Sequence, residues 1–212
     1  MTWWHYALVG LAAYFIGTFP SAVLITRLHD KDIDIRKVGS GNPGGTNVMR
    51  AMGARWGVLV MLLDAAKGAL AAGLGWFLGL IFDVDQTASI ICLCIASMAV
   101  ITGHNWPVFS KFKGGKGIAA SLGVVLVMSW PAGLIGLAAH QAILWPSGIM
   151  SLAGLMGTTV AVMVVMIFKH NDPMFAWYVI AGLFVWGSSI VTHRGNIKRI
   201  VNGTEKKVFK KK

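Results

Sequence analysis

The chain has 212 residues, of which 56% are hydrophobic and only 13% charged, with a formal net charge of +11. A soluble domain carries about 25% charged residues, so this composition excludes an ordinary globular domain and points to a single integral membrane domain over residues 1–212. The 26 glycines and nine tryptophans agree, because membrane helices tolerate Gly and place Trp at their interfaces.

The first apolar run is Trp3–Ile25, and no Lys or Arg occurs before Arg27. A cleavable signal needs a basic start, so this run is expected to stay as the first span. Six basic residues follow in Arg27–Arg55, then a second apolar run, Trp56–Phe82. Asp64 and Lys67 lie inside that run, three residues apart and therefore on one helix face. Ionisable groups at membrane depth are costly and turn inward to pair, either to fix helix packing or to serve a nearby substrate. The third run, Ala88–Gly103, contains Cys92 and Cys94. Two residues apart on a helix, they point to opposite sides and read as small apolar fillers, not a disulfide.

Three lysines fall in Lys111–Lys116, before an apolar stretch, Ile118–Trp145, that is either one long helix or two short ones broken near Trp130-Pro131. Ser147–Phe168 and Met174–Thr192 complete the runs, and eight basic residues occupy Arg194–Lys212. Asp83, Asp85 and Asp172 sit in short connections nearly free of positive charge. The positive-inside rule puts all three basic clusters on the cytoplasmic side, and their attraction for lipid headgroups accounts for part of that charge. With six spans the Lys-rich tail would end outside; splitting Ile118–Trp145 at Pro131 gives seven and a cytoplasmic tail. The expected fold is an all-α bundle of about seven transmembrane helices, with the N-terminus outside and a basic tail, residues 194–212, in the cytoplasm.

Three of the cytoplasmic segments carry chemistry. The first is Gly39-Ser40-Gly41-Asn42-Pro43-Gly44-Gly45-Thr46-Asn47-Val48-Met49-Arg50. Glycines let backbone N–H groups approach an anion, Thr46 is placed to cap a helix starting just after it, and Arg50 offers a bidentate fork. The second, Gly103 to Gly117, contains His104, Lys113, Gly114, Gly115 and Lys116. It is no nucleotide-binding loop, since Ser110 and Gly117 stand where that motif requires Gly and Ser or Thr; Trp106, Phe109 and Phe112 read as an interfacial belt. The third, His193-Arg194-Gly195-Asn196-Ile197-Lys198-Arg199, follows the last span and sets His193 and Asn196 on one helix face. Together they form an anion pocket at the membrane surface, walled by apolar helices, suited to a small phosphorylated substrate meeting a lipid-soluble chain.

These residues resemble the acyl-phosphate-dependent glycerol-3-phosphate acyltransferases of bacteria. The family's three signatures are similar to Ser40–Arg50, Gly103–Gly117 and His193–Ile197, and its Leu-Leu-Asp-x-x-Lys-Gly stretch to Leu62–Gly68. The resemblance covers nearly the whole chain. It departs at Gly45, where the family often has Ala, and at Ser151-Leu152-Ala153-Gly154, where the family shows Ser-Leu-Ala-Ser.

The resemblance implies attack by the 1-hydroxyl of glycerol 3-phosphate on the acyl carbon of acyl phosphate, the first acylation step of phospholipid biosynthesis, at the cytoplasmic face of the inner membrane. The mixed anhydride is already activated, so no cofactor, metal, coenzyme A or covalent enzyme intermediate is required, and the protein positions and neutralises two phosphates. On that basis Ser40, Arg50, Lys116, His193 and Asn196 are the catalytic set. Asn42, Thr46, Asn47, His104, Lys113, Gly114, Gly115 and Arg194 are the substrate-binding set. The base is a substrate phosphate, with His193 as the protein-side alternative; His29 and Asp34 match a His-x4-Asp spacing by eye but lie outside the signatures. Expected partners are the two substrates, membrane lipids and the enzyme that forms acyl phosphate, and no nucleic acid. A reading from another class, a transporter of phosphorylated solutes, calls for a midplane site and internal repeats; the polar clusters here lie at one face and no repeat is seen.

Overall fold

The computed structural model describes residues 1–82 and 86–208. Asp83 and Asp85, which the charge pattern assigns to an outer connection, lie outside the described residues. Within them every regular element is helical.

The first apolar run stays one candidate span, Trp3–His29, but a break divides it into two helices, α1 (Trp3–Gly17) and α2 (Ser21–His29). Pro20 is the cause. Its ring denies the chain a helical N–H and restricts Phe19 before it. The break turns the Phe19 carbonyl toward Lys67, whose Nζ donates to it at 2.8 Å. A short 3-10 turn, Ile35–Lys37, leads to α3 (Gly45–Met52) and the long α4 (Ala54–Phe82). After α5 (Gln86–Asn105) and a second 3-10 turn, Val108–Ser110, come α6 (Ile118–Met128) and α7 (Trp130–Ser147). Ser129 between them is extended, φ −162° and ψ 99°, with Pro131 in the first turn of α7, so the stretch Ile118–Trp145 is divided where Pro131 implied. α8 (Met150–Lys169) and α9 (Phe175–Val201) complete the bundle.

Among the described residues, five segments are long and apolar enough to cross a bilayer: Trp3–His29, Ala54–Phe82, Gln86–Ser110, Met150–Lys169 and Phe175–Val201. The 11 residues of α6 rise roughly 16 Å, about half of a hydrocarbon core. The total reaches seven only if α6 and α7 each cross as well.

Helices meet backbone to backbone where small residues face each other. A Cβ on Gly123 of α6 would collide with the Ala65 carbonyl of α4, and one on Gly68 with that of Ala120. Close approach of this kind supplies the dispersion contact that holds helices together in lipid, where no hydrophobic drive separates helix from solvent. The core joins α1, α4, α5, α6, α7, α8 and α9 through residues such as Ala13, Val100, Val124, Val165 and Val185. Cys92 and Cys94 are buried there as free thiols, the filler role read from their spacing.

Candidate active site

α6 begins, α7 ends, α8 begins and α9 ends around one cavity of about 1260 Å³, and residues 36–50 close it from the side. Its wall is apolar along α4, α6 and α7, with Val58, Met61, Leu62, Leu122, Val125 and Leu144, and its mouth is polar, with Ser40, Arg50, Lys116, His193 and Asn196. Pockets for drug-sized molecules run about 300–1,000 Å³, so this one has room for a lipid chain beside a small polar molecule.

Residues 39–50 fold as a tight loop running into α3. Gly39 and Gly41 take positive φ, 62° and 69°, conformations that a side chain would strain. Asn47 holds the loop: its Nδ2 donates to the carbonyls of Ile35 (3.1 Å) and Val38 (2.9 Å), and its Oδ1 accepts from Ser40 N–H at 3.1 Å. Asn47 reaches the cavity wall, but its amide is engaged by the loop and fixes the Ser40 backbone. Thr46 differs from expectation too. α3 starts at Gly45 with Gly44 as its cap, which puts Thr46 inside the first turn. Arg50 extends to the C-terminal segment and donates to the Lys206 carbonyl at 3.1 Å.

Residues 103–117 are tied to α1 by Tyr14, whose hydroxyl donates to the Trp106 carbonyl (3.0 Å) and accepts from Val108 N–H (3.1 Å). Lys111 and Phe112 both take left-handed φ, 52° and 58°, a conformation costing non-glycine residues about 1–2 kcal/mol each. The glycine amides correct the expectation of an anion cradle. Gly114 N–H donates to the Asn105 carbonyl at 3.1 Å and Gly115 N–H to the His104 carbonyl at 3.0 Å, so neither is free for a phosphate. Gly114 lines the cavity and Gly115 does not; a Cβ on Gly115 would run into the His104 ring. These glycines let the chain fold back onto the end of α5, and the turn delivers Lys116.

The second and third segments meet through side chains. Lys116 Nζ donates to Asn196 Oδ1. Asn196 Nδ2 donates to Glu205 Oε1 at 2.6 Å, Ser151 Oγ to the same oxygen at 2.9 Å, and Arg199 Nε to Glu205 Oε2 at 2.7 Å. His193 Nδ1 lies 2.9 Å from the Ser189 carbonyl. A carbonyl only accepts, which assigns the proton to Nδ1 and leaves Nε2 as an acceptor. Burial pulls the Lys116 ammonium below its ordinary pKa, with Glu205 opposing and Arg199 and Arg50 adding to the fall. Burial would push the Glu205 carboxyl up, but the hydrogen bonds from Asn196, Arg199 and Ser151 outweigh it and hold the group below its ordinary value.

Of the residues singled out in the sequence, Ser40, Asn42, Thr46, Asn47, Arg50, His104, Lys113, Gly114, Lys116, His193, Arg194 and Asn196 all line this cavity. The His29–Asp34 spacing makes no dyad: the His29 ring packs on Trp56 with centroids 4.7 Å apart, and Asp34 accepts from Arg36. Glu205 was not anticipated. Its signal is present, since it is the sole acidic side chain among the eight cations of residues 194–212, of which the sequence reading takes only those up to Arg199 as part of the site. Ser151, at the point of departure from the family's serine pattern, belongs to the same network.

The model of the family described as glycerol-3-phosphate acyltransferase matches residues 7–203. The chain belongs to the glycerol-3-phosphate acyltransferase family. It is 39% identical over 204 residues to the "Glycerol-3-phosphate acyltransferase" of Thermoanaerobacter sp. (strain X514), covering 96% of each chain. It is 38% identical over 208 residues to the "Glycerol-3-phosphate acyltransferase 2" of Thermotoga maritima, covering 98% of this chain and 97% of that one. Its fold is similar to the crystal structure of PlsY (YgiH), an integral membrane glycerol 3-phosphate acyltransferase, in the glycerol 3-phosphate form: TM-score 0.81, 33% identity, 96% of this chain and 95% of that chain. The lysophosphatidic acid form of PlsY gives a TM-score of 0.80 over the same shares. With that membership and five segments among the described residues long and apolar enough to cross, the chain is an integral membrane protein. The family match stops at residue 203, short of Glu205.

Proposed function

We propose that this protein transfers a fatty acyl group from acyl phosphate to the 1-hydroxyl of sn-glycerol 3-phosphate, giving 1-acyl-glycerol 3-phosphate and inorganic phosphate. The observation that carries this reading is a single continuous cavity whose mouth is cationic and whose wall is apolar, which suits a phosphorylated polyol and an acyl chain held together. In the reaction the O1–acyl bond forms, the acyl–phosphate bond breaks, and the O1 proton passes to a phosphate oxygen.

Ser40, Arg50, Lys116, His193 and Asn196 are the groups proposed to hold glycerol 3-phosphate and neutralise developing charge, work that fixed dipoles and charges do well in a site screened from water. His193 Nε2, an acceptor, is suited to orient the hydroxyl. Lys113 and Arg194 are proposed for the acyl phosphate. The polar mouth faces the cytoplasm of a bacterial inner membrane, with α6 and α7 both crossing, for seven spans in all; the three basic clusters support that orientation.

The test is phosphate release by the purified protein in detergent with glycerol 3-phosphate and either palmitoyl phosphate or palmitoyl-CoA. Turnover with palmitoyl phosphate and negligible turnover with palmitoyl-CoA is expected. Efficient use of the thioester would move the protein to another donor class.

A further inference from the structure

Asp64 and Lys67 form an ion pair inside the bundle that the acyl-transfer chemistry above leaves unused. Asp64 Oδ1 lies 3.0 Å from Lys67 Nζ and 3.6 Å from His104 Nδ1, and all three side chains are buried. Lys67 also donates to the Phe19 carbonyl in the break between α1 and α2. The carboxylate therefore stands where α4, the α1–α2 break and the end of α5 come together.

His104 is the link to the site. Its carbonyl accepts from Gly115 N–H at 3.0 Å, and its ring lies so close to Gly115 that any Cβ there would strike Nε2. Gly115 precedes Lys116, so the lysine's backbone rests on the His104 imidazole and the imidazole rests on Asp64. Neither His104 Nδ1 nor Ser21 Oγ has a hydrogen-bond partner among the described residues. A cavity of about 30 Å³ whose border includes Ser21, Asp64, Lys67 and His104 is wide enough for a water molecule, which would carry the 3.6 Å Asp64–His104 contact.

We propose that Asp64 is a positioning residue for acyl transfer: through His104 it sets the place of Gly115 and so of the Lys116 ammonium. This rests on the acyl-transfer reading of the cavity. The competing role is helix packing alone, and the two differ in what replaces the pair. Exchanging a buried ion pair for apolar residues of similar volume is often neutral or stabilising, whereas removing one partner strands a charge. A pair that only packs is therefore replaceable; one that seats His104 is not, because an apolar side chain offers the imidazole no acceptor.

The experiment compares Asp64→Leu/Lys67→Met with wild type, each alone and combined with Lys116→Met, measuring melting temperature in detergent and kcat for phosphate release. The expected result is an unchanged melting temperature with kcat lowered about tenfold or more, the scale of a misplaced catalytic group. On top of Lys116→Met, the same pair should cost less than about twofold, because both act through one group. Wild-type kcat in Asp64→Leu/Lys67→Met, or losses that multiply with that of Lys116→Met, would overturn the proposal. If the melting temperature shows that the paired variant does not fold, Asp64→Glu decides: the charge stays, the carboxylate moves by one methylene, and kcat should fall severalfold at constant melting temperature. Wild-type kcat in Asp64→Glu would overturn it equally. A wild-type protein inactive toward glycerol 3-phosphate would instead sink the acyl-transfer reading, so the two failures are distinct.

Discussion

Residues 103–117 and the end of α9 with its tail both supply the mouth of the cavity, yet they are built on opposite principles. In the first, the main chain bonds to itself: Gly114 and Gly115 donate to carbonyls at the end of α5, Tyr14 ties the turn to α1, and the Lys116 side chain is carried to Asn196. In the second, the helix is regular and the organisation lies in side chains, with Asn196, Arg199 and Ser151 converging on Glu205. The two regions join at the Lys116–Asn196 hydrogen bond. The amide is oriented by the carboxylate on its other side: Nδ2 faces Glu205, so Oδ1 must face Lys116. A turn held by its backbone tolerates change in exposed side chains and little at its glycines. A side-chain network reverses that sensitivity.

Five substitutions separate the two principles. Lys116→Met should have the largest effect, on the order of 10²-fold or more in kcat, comparable to removing an oxyanion donor. Lys116→Arg should also be poor, since a planar fork does not replace a compact ammonium beside Asn196. Gly115→Ala comes next. Its Cβ would meet the buried His104 ring, and the displaced turn should lower kcat/KM roughly tenfold.

Glu205→Gln tests the network. Loss of the charged acceptor should cost about 1–2 kcal/mol of stability, read as a lower melting temperature, with a smaller fall in turnover than Gly115→Ala. The pH dependence has a defined sign. The carboxyl is held below its ordinary value in the folded protein, so its stabilisation is complete above that ordinary value and is lost as pH falls through the lowered one. The difference in melting temperature between wild type and Glu205→Gln should therefore shrink on acidification; a constant difference would mean that the carboxylate is not the group that matters. Smallest is Lys111→Met, at an exposed position of the same turn, where less than about a twofold change in turnover is expected of a screened surface charge. Equal, small effects at Lys111 and Lys116 would reduce the turn to a marker of membrane orientation.

Much of this molecule follows from its sequence. Composition assigns it to the membrane, the charge clusters pick out the segments that line the cavity mouth, and Pro131 divides α6 from α7, because a missing N–H and a fixed φ are tolerated in the first turn of a new helix and not in the middle of a continuous one. Pro20 carried the same information and breaks the first run too, but a continuous apolar stretch masked it. Local chemistry of this sort is readable since it depends on neighbours in the chain. The tertiary structure decided the rest: that Asn47 braces a loop, that the glycine amides of residues 114 and 115 are engaged by the end of α5, and that Glu205 returns from the tail into a ring of donors. A glycine-rich turn leaves its N–H groups free for an anion or bonds them to its own carbonyls with the same sequence. Which of these occurs depends on φ and on what lies within hydrogen-bond reach, and both are set only when distant helices close around the turn.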